Sequence, residues 1–174
     1  MINKPEPNEY PPFFNGYIEL VRTTDVISFL EKQSTAFVAQ LSSISPEKAN
    51  FRYAPGKWSV KEVVGHVIDI ARVMAYRAFS FSREEEYPLP GIDQEHYTPR
   101  GNYDYRELGD LAEEFKFLRL SNLRLFAALD DQASRRQGVA DNNKFTVRAL
   151  IYIAAGHLEH HRLVLQEKYF DSQQ

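Results

Sequence analysis

The chain has 174 residues, of which 43% are hydrophobic and 26% are charged, a composition typical of one globular domain spanning residues 1–174. Its formal net charge is -3, and 21 basic side chains are spread among 24 acidic ones without a basic stripe, so we expect no nucleic-acid partner. Cysteine is absent, which excludes disulfides and thiolate metal sites and leaves histidine and carboxylate as the good metal ligands.

The N-terminal segment, residues 1–23, is rich in proline, with Pro5, Pro7, Pro11 and Pro12 close together. Because proline fixes the backbone and removes an amide donor, we expect an extended strap that packs onto the domain instead of a helix. This segment lacks the apolar run of a signal peptide, and no later stretch approaches the ~18 apolar residues of a membrane span. We therefore expect a cytoplasmic protein with no membrane partner.

Two long helices are predicted in the first half of the chain. The first begins after Thr24 and continues to about Ile44, because apolar residues recur there at helical spacing. The second begins at the S-x-x-E capping box formed by Ser59 and Glu62 and ends near Arg83.

The segment EEEYPLPGIDQEHYTPRGNYD follows the second helix and contains three prolines and two glycines. Irregular connections of this length are uncommon in compact domains unless they cross the fold or line a site. Beyond it, Asp104 and Glu107 are positioned to cap a third helix.

A small hairpin is predicted around Asp141-Asn142-Asn143. Thr146 can then cap a fourth helix that runs to about Tyr169. Four amphipathic helices with one long connection between helices two and three predict an all-α fold, a four-helix bundle.

Three of the five histidines lie in the motif H-L-E-H-H at positions 157–161. His161 is rotated about 40° from His157, so both lie on the inward face one turn apart, a spacing that brings two imidazoles to one metal ion. His160 lies at the edge of that face, and we expect it to be exposed or to donate to a carboxylate. Glu159 is rotated by about 200° and cannot serve as the general base of an H-E-x-x-H protease.

A catalytic zinc-type site usually has three protein ligands, so a third histidine is needed. His66, in the segment VVGHVID, lies on the shoulder of the apolar face of the second helix, and His96 lies in the long connection, where we expect it to be exposed. The alternative is that the inward histidines are hydrogen-bonded core residues without a metal.

The segments APGKWSVKEVVGHVIDIARVMAYRAFSF, PLPGIDQEHY and FTVRALIYIAAGHLEHHRLVLQEKY resemble the DinB-like superfamily, which includes the YfiT-type metalloproteins. The resemblance implies an up-down-down-up bundle with a crossover between helices two and three. It also implies one divalent metal ion held by His66, His157 and His161, and homodimers. Characterised relatives look like metal-dependent transferases that add low-molecular-weight thiols to electrophiles, or isomerases that use such thiols, and many other members are called metal-dependent hydrolases.

Three neutral imidazoles leave an open coordination position, where a metal can lower the pKa of water to about 7 or hold a thiolate. Without cysteine, a sulfur nucleophile would come from a small-molecule thiol. We therefore expect a zinc- or nickel-dependent enzyme of the hydrolase or thiol-transferase type that acts on a small-molecule substrate. The alternatives are a non-catalytic, stress-related metal-binding bundle and a metal-free dimeric scaffold.

Two carboxylates are candidate auxiliary acids or bases. Asp69 lies one turn after His66 and could orient that ligand, and Asp93 lies in the crossover, from which it could reach the mouth of the bundle. Each could equally be a solvated surface carboxylate. Arg72, Arg77 and Tyr97 could bind an anionic substrate, although charged residues on the flank of a helix usually face water.

Overall fold

The structure, a computed structural model, describes residues 2–170; Met1 and the last four residues of the predicted domain lie outside them. Its helices are α1 (Asn15–Leu20), α2 (Val26–Ser42), α3 (Pro46–Ala49), α4 (Val60–Ser82), α5 (Gln94–Arg100), α6 (Leu108–Ala127), α7 (Asp131–Arg135) and α8 (Val147–Val164). A hairpin of β1 (Gln137–Ala140) and β2 (Asn143–Thr146) precedes α8, and a π-helical turn, Leu165–Phe170, follows it.

Four of these helices, α2, α4, α6 and α8, form the bundle. Helix α4 packs against α8 and α6, and α2 packs against the same two helices, so that α2 and α4 lie on a diagonal. The chain runs up-down-down-up, with the long crossover, residues 83–107, between α4 and α6. The predicted four-helix bundle is confirmed.

Side-chain caps fix where three bundle helices begin. Asp25 accepts a hydrogen bond from the Ser28 amide at the start of α2, and Thr146 accepts one from the Ala149 amide at the start of α8. Ser59 forms the predicted capping box with Glu62. These are local interactions, which explains why the sequence predicts the caps at Ser59 and Thr146.

The predicted cap of the third helix is wrong. Glu107 occupies the N-cap position of α6 but makes no side-chain cap hydrogen bond. Asp104 reaches back to the start of α4, where it accepts hydrogen bonds from the Ser59 hydroxyl at 2.6 Å and from Arg52 at 2.6 Å. A contact between distant segments therefore replaces the expected local one.

The N-terminal segment is less extended than predicted. Short 3-10 turns begin at Pro7 and Pro12, where proline suits the first position, and α1 forms over the proline-free residues that follow. Helix α1 packs closely on α8. A Cβ atom at Gly156 would lie 1.9 Å from the carbonyl oxygen of Tyr17, so glycine is required at this contact.

The crossover also contains more helix than expected, since α5 and a 3-10 turn, Tyr103–Tyr105, lie within it. The Tyr103 ring covers Gly65, where a Cβ atom would lie 2.3 Å from the ring. Backbone hydrogen bonds between Leu89 and the hairpin attach the other part of the crossover. Gly65 thus leaves room for the Tyr103 ring, and this contact holds the crossover beside His66.

The predicted hairpin is confirmed. Asp141 and Asn142 form its turn with φ values of 51° and 58°, the left-handed conformation that asparagine and aspartate tolerate. No helix within residues 2–170 has the length and apolar character needed to cross a membrane.

Candidate metal centre

Three imidazoles converge in the interior of the bundle. Helix α4 provides His66, and α8 provides His157 and His161 from successive turns. The ring centroids are 4.8 Å apart for His66 and His157, 4.9 Å for His66 and His161, and 4.5 Å for His157 and His161. One nitrogen from each ring lies within 4.8 Å of the others.

The spacing and the donor type fit one divalent metal ion. The Nε2 atoms of His66 and His157 are 3.0 Å apart. Two histidine ligands of a tetrahedral zinc ion, each with a Zn–N distance of about 2.0–2.1 Å, would place their nitrogens about 3.3 Å apart. His161 Nδ1 is buried without a hydrogen-bond partner, and an unpaired imidazole nitrogen is the group that a metal ion satisfies.

Burial keeps all three imidazoles neutral near pH 7. His66 is 2% exposed and His157 is 6% exposed. Desolvation, together with a smaller contribution from repulsion by neighbouring imidazoles, lowers the pKa of His66 to about 4 and the pKa of His161 to about 3. The pKa of His157 is lowered well below its usual value for the same reasons. Neutral imidazole is the form that binds metal, so the folded protein already holds the ligands ready.

Aromatic rings that the sequence analysis did not assign to the site enclose it on two sides. The Trp58 ring lies 4.9 Å from the His66 ring, and Tyr17 lies 5.5 Å from both His157 and His160. The tryptophan immediately precedes the Ser59 cap, so the W-S-x-x-E motif both begins α4 and places a ring on His66. Tyr17 reaches the site from α1, which no local pattern predicts.

The remaining histidines differ from the three in the cluster. His160 is half-buried between Tyr17 and His161, with ring centroids 5.0 Å apart for His160 and His161, instead of fully exposed. His96 is exposed, as expected, but it lies on α5 and not in an irregular loop.

The structure does not bring Asp69 or Asp93 into the histidine cluster. Asp69 accepts a hydrogen bond from the Tyr103 hydroxyl. Burial raises its pKa, although this hydrogen bond opposes the shift. Asp93 caps α5, where its carboxylate accepts hydrogen bonds from the amides of Glu95 at 3.0 Å and His96 at 3.3 Å.

Two clefts reach the histidine cluster. The first, which we call the apolar cleft, has a volume of about 470 Å³ and ends at His157. Its walls come from the N-terminal segment, α4, α8, the crossover and the hairpin, and Arg77 lies among polar residues of the crossover and hairpin. Its lining residues are Pro11, Phe13, Phe14, Tyr17, Ile70, Met74, Arg77, Ile92, Gln94, Asp141, Asn143, Ile153 and His157.

The second, the polar cleft, has a volume of about 440 Å³ and ends at His160 and His161. It is lined by Tyr53, Gly56, Lys57, Trp58, Val63, Gln94, Glu95, His160, His161, Val164 and Tyr169. Gln94, the first residue of α5, lines both clefts. The crossover therefore separates the two approaches to the histidines.

The fold and the sequence are both similar to those of known proteins. YfiT from Bacillus subtilis, described as a probable metal-dependent hydrolase with an unusual four-helix bundle topology, superimposes with a TM-score of 0.69. The alignment covers 91% of this chain and 86% of that chain at 18% identity. No curated protein matches the sequence. The sequence model of the DinB superfamily matches residues 30–165, which include all three clustered histidines, and the chain therefore belongs to the DinB superfamily.

Proposed function

We propose that the protein is a metal-dependent hydrolase of a small-molecule substrate, with one divalent ion held by His66, His157 and His161. The observation that carries this proposal is the convergence of three neutral imidazoles, two buried and one half-buried, where two clefts reach the bundle interior. A divalent ion bound by three neutral ligands lowers the pKa of water and polarises a carbonyl oxygen, which is the chemistry of hydrolysis. The description of YfiT as a metal-dependent hydrolase supports the same reaction class.

The surroundings of the cluster favour catalysis over a purely structural metal site. A structural zinc site has four protein ligands, whereas a catalytic site keeps one position open. Within residues 2–170, the cluster of candidate ligands consists of three histidines. Asp69, Asp93 and His96, the residues that could have closed the site, are engaged elsewhere or exposed.

The two clefts differ in polarity, which favours different roles for them in the reaction. The apolar cleft beside His157 suits the body of an organic substrate, because apolar walls bind it and exclude water. The polar cleft beside His161 suits the entry of water and the exit of a polar product.

Metal content tests the ligand assignment. Protein purified without a nickel column should carry about one divalent ion, with zinc or nickel expected from the imidazole ligands. The His161→Ala variant should lose that ion, because two imidazoles bind far more weakly than three. The matched control is His96→Ala, which removes an exposed imidazole and should leave the metal content unchanged. Stoichiometric metal in His161→Ala would overturn the assignment.

Transfer of a small-molecule thiol is the second candidate. The chain has no cysteine, so a sulfur nucleophile would have to enter from outside, and the polar cleft beside His161 is large enough to admit one. Assays with simple esters and amides, with and without added thiols, distinguish the two reactions. Turnover without thiol supports hydrolysis, and an absolute requirement for thiol supports transfer.

The auxiliary acid–base roles of Asp69 and Asp93 stay predictions, as do homodimerisation and a cytoplasmic location. Asp69→Asn and Asp93→Asn variants test the two acid–base roles. A catalytic role requires a change in the pH profile of kcat, whereas loss of the Tyr103 contact or of the α5 cap would change stability alone. Light scattering in solution tests for the homodimer.

A further inference from the structure

Arg77 is a buried cation on the apolar cleft. It is 3% exposed, lies on α4 and lines the cleft together with residues of the crossover and hairpin. Its described contacts are one hydrogen bond, from Nη2 to the Pro90 carbonyl at 2.8 Å, and no ion pair with any residue in 2–170. A guanidinium has five N–H donors, so Arg77 retains donors for a ligand in the cleft.

The positive charge of Arg77 itself favours an anionic ligand. Burial lowers its pKa, and the nearby Asp141 carboxylate opposes that shift. An arginine nevertheless stays protonated at neutral pH, so the cleft contains a positive charge that has lost much of its hydration. Such a charge is costly unless an anion pairs with it. A second buried arginine, Arg119, lines neither cleft, so the same reasoning does not extend to it.

The position of Arg77 also sets the size of that ligand. Ile70 and His157 line the cleft near the metal centre, and Arg77 lies two helical turns beyond Ile70. With a rise of about 1.5 Å per residue, these seven residues span about 10 Å. Met74 and Ile153 line the cleft as well, so its walls are mainly apolar.

We propose that Arg77 binds a carboxylate of the substrate, and that the substrate has an apolar body long enough to extend from that carboxylate past Ile70, about 10 Å along the cleft, toward the histidines. The site thereby selects apolar carboxylic acids over neutral compounds of the same shape. For the end of the substrate that reacts at the histidines, this inference rests on the proposed function. Binding of the carboxylate by Arg77 does not require the metal.

The test compares 4-phenylbutyrate with its neutral isostere, 4-phenylbutanamide, as ligands of the full-length protein, both metal-loaded and metal-free. Calorimetric titration gives the affinities, and backbone NMR shifts locate the binding site. We expect the carboxylate to bind at least about tenfold more tightly than the amide, because a charge-assisted hydrogen bond to a buried guanidinium is worth roughly 1.5–3 kcal/mol. Shifts should concentrate at Met74, Ile153 and Asp141.

Variants assign that preference to Arg77. Arg77→Met should bind both probes equally, and Arg77→Lys should restore part of the preference, because lysine keeps the charge without the planar fork. The matched control is Arg83→Met, which removes an exposed arginine directly after the last residue of α4 and should leave the preference for the carboxylate intact. NMR spectra of each variant verify the fold.

Equal affinities in the wild-type protein overturn the inference without any variant, and so does a preference that survives in Arg77→Met. Loss of metal in the His161→Ala experiment has a separate meaning. If the wild-type protein binds no metal but still prefers the carboxylate, the proposed function fails and the Arg77 site stands. If metal binds and the wild-type protein shows no preference for the carboxylate, the proposed function stands and the Arg77 inference fails.

Discussion

The two clefts reach the same three histidines but are built in different ways. The apolar cleft is formed by packing of distant parts of the chain, namely the N-terminal segment, the hairpin and helices α4 and α8. The polar cleft is formed mainly by the W-S motif, the start of α5 and the end of α8. One side of the metal centre therefore depends on tertiary packing for its specificity, whereas the other is built largely around the residues that start and end helices.

The difference between the clefts has a chemical consequence. A ligand in the apolar cleft can gain affinity from the apolar area that it removes from water and from pairing with one buried charge. The polar cleft is better suited to water and to proton exchange. Variants that affect one cleft and not the other test whether these roles are separate.

The largest expected effect is the dependence of stability on pH in the metal-free protein. Because desolvation lowers the pKa of His66 to about 4 from 6.5, the unfolded chain binds protons over this range while the folded protein does not. The linked stability is complete above pH 6.5 and is lost as the pH falls toward 4. For His66 alone the loss approaches about 3 kcal/mol, and His157 and His161 add to it.

Urea denaturation in a chelator, repeated across this pH range, measures the loss. His161→Ala should reduce the slope because it removes one of the neutral imidazoles, and His96→Ala should leave it unchanged because that ring is exposed. A metal-free protein with constant stability between pH 6.5 and 4 would show that the three rings are not desolvated by the fold.

The next largest effect concerns the apolar cleft alone. In Gly156→Ala, the added methyl group would lie 1.9 Å from the Tyr17 carbonyl oxygen, so α1 has to move away from α8. We expect a loss of about 1–3 kcal/mol in the free energy of unfolding, measured by urea denaturation. Tyr17 should also withdraw from His157, which would weaken binding in the apolar cleft.

Gly16→Ala is the matched control for Gly156→Ala. It adds the same methyl group at an exposed position of α1, where nothing lies within 4 Å of the position that the new Cβ atom would take. It should be neutral or should stabilise the protein by up to about 1 kcal/mol through helix propensity. Equal stability of both variants would contradict the close contact between α1 and α8.

The sequence predicts local features of this molecule better than distant contacts. The predicted capping residues Ser59 and Thr146 act within one turn, and helical phase alone places His157 and His161 on one inward face. His66 was assigned with the help of the family resemblance, because its helical phase places it only on the shoulder of the apolar face. Its 2% exposure results from packing of α4 against α8.

The side-chain contacts that were missed join distant segments. Asp104 bonds to Ser59 across the crossover instead of capping α6, and Tyr103 donates to Asp69 instead of leaving that carboxylate for a ligand. No local pattern contains this information. The one local signal was Gly65 directly before His66, since a glycine inside a helix often marks a close contact, here with the Tyr103 ring.

A smaller effect is expected at the polar cleft. The Tyr169 hydroxyl donates to the Trp58 carbonyl at 2.7 Å and joins the π-helical turn after α8 to the W-S motif. Tyr169→Phe should lower the free energy of unfolding by about 1 kcal/mol, the usual net contribution of one hydrogen bond. Tyr53→Phe removes the hydroxyl of a neighbouring exposed ring and should have almost no effect. Ligand affinity in the apolar cleft should be unchanged in both, and a change there would show that the clefts are coupled.

The smallest perturbation uses the protein unaltered. Trp58 is the only tryptophan of the chain and its ring lies 4.9 Å from His66, so its fluorescence reports on the cluster from the side of the polar cleft. Nickel ions added to the metal-free protein should quench this emission with one-site saturation, because a paramagnetic ion held by His66 would lie beside the indole. Quenching should disappear in His161→Ala and persist in His96→Ala. We expect 4-phenylbutyrate to bind in the apolar cleft, so it should leave the emission of the metal-free protein nearly unchanged. A large change would place the ligand against Trp58 and remove the distinction between the clefts.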